Sequence, residues 1–571
     1  MVKNAIISKH IVLTSLTQYK AQHPQYGIIL IEDELISDVV IIDQNVPVKA
    51  IAEKYSDWNP VDYSDYYVSP GLIDLNARRE WSNYSQFTKA AIKGGTTLIL
   101  EEESFFCGNQ KEGKLYCDVA EAVSLNELNA DNLECLEASG ALALKSYCYP
   151  PSGNVQALNS KLAFAIRNAK LPLLINPTTP NPRMLYMASP HRLDHFSNRL
   201  EEKTQPGLDV FAAAFPEDIN SDEEEEFCSP ISRLRSESVS YYKNASSPKL
   251  DYLRSISEEE VTFEALPKTK TIFDDLDKRI KANQQSIQSL SLAEQKTYQT
   301  SGKTVYNVSK KSDRRPQPIS IPKVERDNEK TYIYHLANNP DYWEVSGVKQ
   351  VLEITDRESK VHFFGISSAA AINLIRQSKK DKPNLSCEIP AAHLYFTSDS
   401  VGDGDTRFKS NPPIRNKGNF NLVWDLLKMK GIDVVSSNHC FIDSEYKCRD
   451  FQKALGGLNT MGCTLQAIWS VLNIPFTTQN QLEHYIVRLA KWLSLQPAKI
   501  LGLSDRGSIE KSKLADLIVW SPYEKLEFEC CDSNIFSGLQ MYGEIKKVYL
   551  RGHTVYEKGN CFSFGKRVLK N

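Results

Sequence analysis

The apolar residues of this chain follow two different rhythms. Residues 2–68 alternate short apolar runs with polar residues, as in NAIISKHIVLT and YGIILIEDELISDVVIID. A period of two with many β-branched side chains predicts β-strands. The same pattern returns near the other end, in ADLIVW (515–520) and IKKVYLRGHTVYEKG. We therefore expect strands from 1–68 and 515–571 to pair in one small β-sandwich.

From Pro70 onward, short apolar strands alternate with helices. SPGLIDL predicts a strand, SQFTKAAIKGG a helix that ends at Gly94-Gly95, and TTLILEEE the next strand. The alternation resumes later, where HFFGISS precedes the helical AAAINLIRQSKK and LSCEIP follows. Strands that alternate with helices predict right-handed βαβ units and a parallel sheet.

The segment 183–330 interrupts this rhythm. It contains the run Asp222–Glu226, in which all five residues are acidic, with many Ser and Lys and few apolar clusters. Such a composition buries too little surface to offset the entropy of ordering, so we expect most of it, especially 216–330, to be disordered. Ser236 and Ser255 follow arginines and are candidate phosphorylation sites. The alternative is a solvated linker whose serines have no role.

Composition narrows the classes of function. The chain has 571 residues and a formal net charge of -3, which gives no case for nucleic acid or an acidic membrane surface as the main partner. No apolar run approaches the roughly 20 residues of a membrane helix, and the start of the chain lacks a signal peptide's apolar core. The 12 cysteines include no Cys-x-x-Cys, which indicates reduced thiols. We expect a cytoplasmic protein.

Several segments, taken in order, resemble the cyclic amidohydrolases of the dihydropyrimidinase, allantoinase and dihydroorotase group. They are SPGLIDL, TKAAIKGGTTLIL, ALALKSY, HFFGISSAAAINLIRQSKK, CEIPAAHLYFT, DTRFKSNPPIR, IDVVSSNH and RGHTVYEKG. The resemblance implies an α/β fold: a (β/α)8 TIM-type barrel of the metal-dependent hydrolase superfamily, formed by 69–182 and 331–514, beside the β-sandwich. REWSNYSQF and FQKALGGLNT are allantoinase-like, whereas GGTT and EIPAAHL are similar to the other branches. The subfamily stays open.

In that family, two metal ions, usually zinc, activate a water that hydrolyses a ring amide. Their ligands are a His-x-His pair, a carboxylated lysine, two further histidines and an aspartate that also serves as general base. The matching positions in this chain are Asn76 and Arg78, Lys145, Asn176, Gly365, and Asn438. Only the lysine is retained, so the resemblance implies a vestigial site.

Each replacement opposes metal binding. An asparagine offers one weak carbonyl oxygen in place of an imidazole nitrogen, and Gly365 offers no donor. Arg78 brings a permanent positive charge to a place where a dication would lie. Asn438 cannot accept a proton from water at neutral pH. We therefore predict no bound metal and no cofactor; zinc is expected only if the chain is a hydrolase after all.

The retained residues allow more than one interpretation. Lys145 is either a carboxylated metal bridge or a buried amine that hydrogen-bonds one of the three asparagines. By the resemblance, His393, Asn411 and His439 are candidates for the old substrate pocket. A different metal site built from His393, His439 and Glu388 is a further alternative, because these residues follow separate strands.

The function expected from the sequence is that of a pseudoenzyme comparable to the collapsin-response mediator proteins, which are metal-free relatives. Such a chain would act as a protein–protein scaffold or a regulatory subunit. The resemblance implies a homo-oligomer, in particular a tetramer, or a hetero-oligomer with an active relative, and the insertion 216–330 is a candidate partner-binding element. The alternatives are a residual allantoinase- or dihydropyrimidinase-like hydrolase, and a protein that binds a cyclic ureide without turnover.

Overall fold

A computed structural model describes residues 3–14, 23–80, 82–102, 113–125, 133–148, 155–178, 330–472, 478–528 and 533–570. Almost the whole insertion, with the acidic run Asp222–Glu226 and the candidate phosphorylation sites Ser236 and Ser255, lies outside these residues. The predictions of disorder and phosphorylation therefore stay predictions.

The strands are numbered in chain order. They are β1 (Lys3–Ile11), β2 (Gln25–Glu32), β3 (Leu35–Ile41), β4 (Pro60–Asp62), β5 (Tyr67–Pro70), β6 (Leu72–Arg78), β7 (Thr96–Glu102), β8 (Asp118–Ser124), β9 (Ala143–Tyr147), β10 (Leu173–Asn176), β11 (Val361–Phe363), β12 (Leu385–Pro390), β13 (Val434–Ser436), β14 (His439–Cys440), β15 (Leu517–Glu527), β16 (Gln540–Leu550), β17 (His553–Glu557), β18 (Asn560–Cys561) and β19 (Arg567–Val568).

The helices of the described residues are numbered in the same way. They are α1 (Val48–Lys54), α2 (Tyr84–Lys93), α3 (Leu133–Ala138), α4 (Val155–Asn168), α5 (Tyr332–Ala337), α6 (Tyr342–Ile354), α7 (Ala369–Ser378), α8 (Ala391–Tyr395), α9 (Lys417–Lys428), α10 (Thr464–Leu472), α11 (Gln479–Ala490) and α12 (Gln496–Ile500). A π-helical turn, Lys491–Leu495, joins α11 to α12.

One sheet combines strands from both ends of the chain, as the alternating patterns predict. Its order is β18-β17-β16-β15-β5-β1-β2-β3, with β4 beside β1. The junction is the antiparallel pair β5–β15, in which Tyr67 faces Trp520. Apolar residues of both origins, among them Ile6 and Val519, pack in one cluster. This sheet is the sandwich part of the protein.

The second sheet is the barrel. Parallel pairs join β6 to β13 in sequential order, and β14 returns to pair with β6. Because Ser437 and Asn438 alone separate β13 from β14, the eight strand positions close into a ring. The (β/α)8 fold class inferred from the resemblance is therefore confirmed.

Helix α2 illustrates how local sequence fixes the barrel's outer layer. Asn83 and Gln86 form a reciprocal capping box at its start, and Gly94 follows its last residue, as predicted. Its buried face includes Phe87 and Ile92, which pack against the strands.

A buried cluster of charges fastens the barrel to the sandwich. Asp118, at the start of β8, accepts hydrogen bonds from Arg551 Nη1 at 2.6 Å and from Arg506 Nη1 at 3.2 Å. Arg551 follows β16 of the sandwich, and its backbone N–H donates to Asp516 at 2.8 Å. The side chains of Asp118, Arg506 and Arg551 are each at most 2% exposed. These paired charges hold the two parts together.

None of the helices in the described ranges combines the length and hydrophobicity that crossing a membrane requires.

Candidate functional site at the mouth of the barrel

The carboxyl ends of the barrel strands bring the vestigial positions together. Asn76 lies in β6, and its Nδ2 donates to Asn438 Oδ1 at 3.0 Å. Gly365 follows β11, and a Cβ built there would lie 2.9 Å from Asn176 Nδ2 and 3.7 Å from Asn76 Nδ2. Asn176 ends β10 and donates from Nδ2 to the Phe364 carbonyl at 3.3 Å. Side-chain amides therefore meet one another where the resemblance implies imidazoles and a carboxylate.

Arg78 is held at this mouth by a carboxylate and a tyrosine hydroxyl. Its Nε and Nη2 donate to one oxygen of Glu102, Oε2, at 3.1 and 2.9 Å. Glu102 ends β7, and the Tyr147 hydroxyl donates to the same oxygen at 2.6 Å while accepting a hydrogen bond from Arg78. Burial opposes the charge of Arg78, but the nearby anionic groups, Glu102 first among them, together outweigh this effect and raise the pKa of the guanidinium. A fixed cation therefore occupies this part of the mouth.

Lys145 lies deeper and makes a weaker contact with the same carboxylate. Its side chain is fully buried, and its Nζ is 3.9 Å from Glu102 Oε2. Within the described residues this nitrogen makes no hydrogen bond. It lies 4.8 Å from the ring centroid of Phe364. Burial lowers the pKa of the Lys145 ammonium, against the attraction of Glu102 and Glu388.

This arrangement differs from one expectation for Lys145. The amine was expected to hydrogen-bond Asn76, Asn176 or Asn438, but two of these amides pair with each other. The third is bound to backbone: Asn176 Oδ1 accepts the Thr178 N–H at 3.0 Å. Two side-chain amides can hydrogen-bond each other without burying a charge, whereas a buried ammonium is stabilised most by a carboxylate.

A second buried carboxylate, Glu388 in β12, is already bound. It accepts the Ser436 hydroxyl at 2.8 Å, the Gly365 N–H at 3.4 Å and His362 Nε2 at 3.3 Å. His362 also contacts the Ser386 hydroxyl through Nδ1 at 2.9 Å. Both His362 nitrogens and both Glu388 oxygens thus have protein partners.

Asp74 is a third carboxylate beneath the mouth. Its Oδ1 accepts the backbone N–H groups of Asn76 and Ser437, each at 3.2 Å. Burial raises the pKa of this carboxyl to about 6, against the effect of these hydrogen bonds. Asp74 fastens β6 to the break between β13 and β14.

The three pocket candidates lie in different surroundings. His439 points away from the mouth: its ring stacks on Phe87 of α2 at 5.6 Å, and its Nδ1 accepts the N–H groups of Thr460 and Met461 at 3.1 Å. Burial lowers the pKa of His439 to about 3, so the ring is neutral at physiological pH.

His393 and Asn411 lie on the other side of the mouth. His393 in α8 is buried, its Nε2 is 3.3 Å from the Pro412 carbonyl, and burial lowers its pKa to about 4. Asn411 is exposed and precedes a cis bond to Pro412. Pro412 Cδ lies 3.9 Å from the Cβ position of Gly365, so this turn borders the mouth. The structure thus brings the turn, but not His439, to the amides.

The residues at the mouth do not fit the divalent metals of the resembling family. Arg78 is permanently charged, and the Glu102 carboxylate that it contacts is also within 3.9 Å of the Lys145 amine. Amide oxygens are weak ligands for zinc, and one of them, Asn438 Oδ1, is hydrogen-bonded. Across the described residues, no group of three or more His, Cys, Asp or Glu side chains is arranged to hold a metal ion. His393, His439 and Glu388 likewise form no such group.

Sequence reasoning missed Glu102 and Tyr147, which hold Arg78. The available signal was the acidic end of TTLILEEE, because polar residues at the carboxyl ends of barrel strands line the functional mouth. Tyr147 ends the next strand but one, β9, two residues after Lys145.

Comparisons with known proteins agree with this fold. Residues 418–555 match the model of the amidohydrolase family. An allantoinase of Arabidopsis thaliana is 27% identical over 261 residues, which are 42% of this chain and 50% of the relative. A probable allantoinase of Dictyostelium discoideum is 31% identical over 282 residues, 45% and 53% of the two chains. The chain spans about half the length of the curated relatives it matches.

Solved structures extend the likeness to the whole chain. The dihydropyrimidinase of Brevibacillus agri superposes with a TM-score of 0.62 at 16% identity and covers 100% of both chains. The L-hydantoinase of Arthrobacter aurescens gives 0.61 at 16% identity over 99% of both. Such low identity shows the fold alone. Sequence and fold together relate the chain to the amidohydrolases.

Proposed function

We propose that this chain is a catalytically inactive relative of the cyclic amidohydrolases that acts as a protein–protein scaffold or regulatory subunit in the cytoplasm. The observation that carries the proposal is the pairing of Arg78 with Glu102, at 3.1 and 2.9 Å. This pair puts a guanidinium at the second position of the family's His-x-His and uses the nearest carboxylate to neutralise it. A dication would have to displace a hydrogen-bonded cation that cannot lose its proton.

The general base is also missing. Asn438 stands at the position of the family's aspartate, and its amide oxygen already accepts a hydrogen bond from Asn76. The nearby carboxylate of Asp74 binds two backbone N–H groups through one oxygen and is turned toward the strand break. Without a metal or an available base, none of the described residues at the mouth activates water for attack on a ring amide.

The proposed assembly follows from the same likeness. We propose a homo-oligomer, a tetramer in the first instance, or a hetero-oligomer with an active relative. Residues 216–330 are the proposed partner-binding segment, with Ser236 and Ser255 as sites where phosphate would change its charge. Neither nucleic acid nor a membrane is a proposed partner.

Two other functions have a specific observation in their favour. Similarity to allantoinases favours a residual hydrolase. The Lys145 amine, which makes no hydrogen bond within the described residues, favours a site that binds a cyclic ureide without turnover. A carbonyl of such a ligand would accept from this nitrogen.

One set of measurements separates the three functions. Full-length protein is purified with and without added zinc and its metal content is measured, then turnover of hydantoin, dihydrouracil, dihydroorotate and allantoin is assayed beside an active allantoinase. The scaffold proposal expects neither stoichiometric metal nor turnover. Stoichiometric zinc that is lost in Lys145→Ala, together with turnover, would establish the hydrolase instead. Calorimetric heat with any of the four compounds, without turnover, would establish the binder.

The scaffold role itself is tested by affinity capture. The full chain and a variant that lacks 216–330 are used as baits in parallel, after both are shown to have the same circular dichroism and melting temperature. The proposal expects partners that the shortened chain loses. Identical partners for both baits would remove the insertion from the proposal.

A further inference from the structure

Four cations converge on one surface of the barrel, which we call the basic face: Lys430, Arg488, Lys491 and Lys499. Lys430 follows the end of α9, Arg488 lies in the last turn of α11, Lys491 begins the π-helical turn and Lys499 lies in α12. Arg488 and Lys491 are three residues apart and therefore share a side of the helix.

Hydrogen bonds fix this convergence. Arg488 Nη2 donates to the carbonyls of Leu427 and Lys428, at 2.7 and 2.8 Å, so α11 is tied to the end of α9 next to Lys430. These two acceptors are neutral carbonyls, and among the described residues no ion pair joins this guanidinium to a carboxylate. Lys430 and Lys499 lie at the C-terminal ends of α9 and α12, where the dipole favours a cation by about 0.3–1 kcal/mol. Arg488 and Lys491 lie within a continuous helical stretch, so the dipole does not explain why four cations share one surface.

The charges of the basic face repel one another. The pKa of Lys491 is lowered, first by burial and then by the positive charges of Lys430, Arg488 and Lys499. His484, one turn before Arg488, has a pKa lowered to about 4 by burial and then by neighbouring cations that include Arg488. A surface that holds like charges together at a cost is stabilised by an anionic partner.

The basic face lies at the end of the barrel opposite to the candidate site. Lys430 lies four residues before Val434, at the amino end of β13, whereas Asn438 lies beyond its carboxyl end. A ligand of the basic face is therefore independent of the mouth, and the inference does not rest on the proposed function.

We propose that the basic face binds the acidic run Asp222–Glu226 of the same chain. Five consecutive carboxylates complement four clustered cations, and no other stretch of this sequence is as acidic. The run begins 44 residues (222 − 178) after Thr178, the last described residue before it. A random coil of 44 residues spans about 33–40 Å on average, so a connection of this length can reach from one end of a barrel to the other. Tethering supplies an effective concentration that favours even a weak contact.

Zero-length carbodiimide cross-linking of the full-length protein tests the proposal directly. The reagent joins a carboxylate to an amine only where the two are in contact, and mass spectrometry identifies the linked peptides. We expect the peptide with Asp222–Glu226 to be linked to Lys430, Lys491 or Lys499. The yield of these links should fall at about 0.5 M salt, because the Debye length is then only about 4 Å and the attraction between the charges is screened. A mixture of ¹⁴N- and ¹⁵N-labelled protein identifies links within one chain.

Two variants complete the test. K430Q/K499Q should lower the yield of the link to Lys491, because it removes two charges of the basic face but keeps that amine. The control K9Q/K49Q, which removes two exposed lysines of the sandwich, should leave this yield unchanged. All four substituted lysines are exposed, so both variants should fold. Links spread evenly over surface lysines, or links only between differently labelled chains, would overturn the proposal.

Discussion

Gly365 and Asn176 lie so close that no side chain fits between them: a Cβ on Gly365 would be 2.9 Å from Asn176 Nδ2. Gly365 also has a φ of 61°, a region in which other residues are strained. The position matched to the family's fourth histidine is therefore adapted to having no side chain.

Gly365→Ala should lower the free energy of unfolding by about 2 kcal/mol, of which about 1–2 kcal/mol comes from the backbone conformation. Urea unfolding measures the change. Gly402→Ala is the control, because a Cβ there meets nothing within 4 Å, and its effect should be small. In Asn176→Ala/Gly365→Ala the contact is relieved and only the backbone cost should remain. Equal effects of the two glycine substitutions would contradict the crowding at the mouth.

Glu102 should matter more for stability than either of its cationic partners. Glu102→Gln removes the carboxylate that both Arg78 and Lys145 contact, which for buried groups costs about 3–5 kcal/mol. Arg78→Gln removes a partly exposed cation and should cost about 1–3 kcal/mol, since Tyr147 and Lys145 still contact the carboxylate. Chemical denaturation of both variants at one pH gives the order. A larger loss in Arg78→Gln would mean that the guanidinium has a further role at the mouth.

Lys145→Met distinguishes a structural amine from a metal bridge. The amine is fully buried, makes no hydrogen bond within the described residues and has a lowered pKa. Replacement by an apolar side chain of similar length should therefore change the unfolding free energy by less than about 1 kcal/mol, or raise it. Thermal melts in the presence of zinc and of a chelator provide the measurement. A loss of stability by chelation that is absent in Lys145→Met would contradict the prediction.

Because of His439, the free energy of unfolding should fall as the pH is lowered below 7. Its folded pKa of about 3 lies below the ordinary 6.5, so between these values the unfolded chain binds a proton that the folded chain does not. The free energy of unfolding must then fall as pH decreases, by about 2 kcal/mol from pH 7 to pH 5 for this group alone.

The variant His439→Asn isolates this contribution, because the amide oxygen can still accept the N–H groups of Thr460 and Met461. The carboxyls of Asp74 and Asp516, with raised pKa values of about 6, act in the opposite direction and remain in both proteins. The difference between wild type and variant should therefore shrink from pH 7 to pH 5. A constant difference would mean that His439 binds its proton equally well in the folded and unfolded protein, which would contradict the lowered pKa.

The sequence predicted the elements better than the contacts at their ends. Periodicity and the Gly94 stop defined α2 and its neighbouring strands, and the alternating termini predicted that strands from both ends pair, as β5 and β15 do. The contact of Arg78 with Glu102 could not be predicted, because the register of β6 against β7 shifts twice and alternation no longer fixes which side a residue faces.

His439 shows the same limit. Asn438 has a φ of 49°, so the strand breaks before His439 and its alternation starts anew. The ring consequently turns toward Phe87 instead of the mouth. The pairing of Asn76 with Asn438 joins residues 362 positions apart, a distance over which local pattern carries no information.

The buried cluster around Asp118 has a consequence for how the protein melts. Its partner Arg551 belongs to the sandwich, and the backbone of β8 also pairs with β19 beyond it. Separating the barrel from the sandwich would leave buried charges without their partners in both parts, so a half-unfolded state has a high free energy. The described parts of the chain should therefore denature as one cooperative unit, and a calorimetric trace should show a single endotherm instead of one for each part.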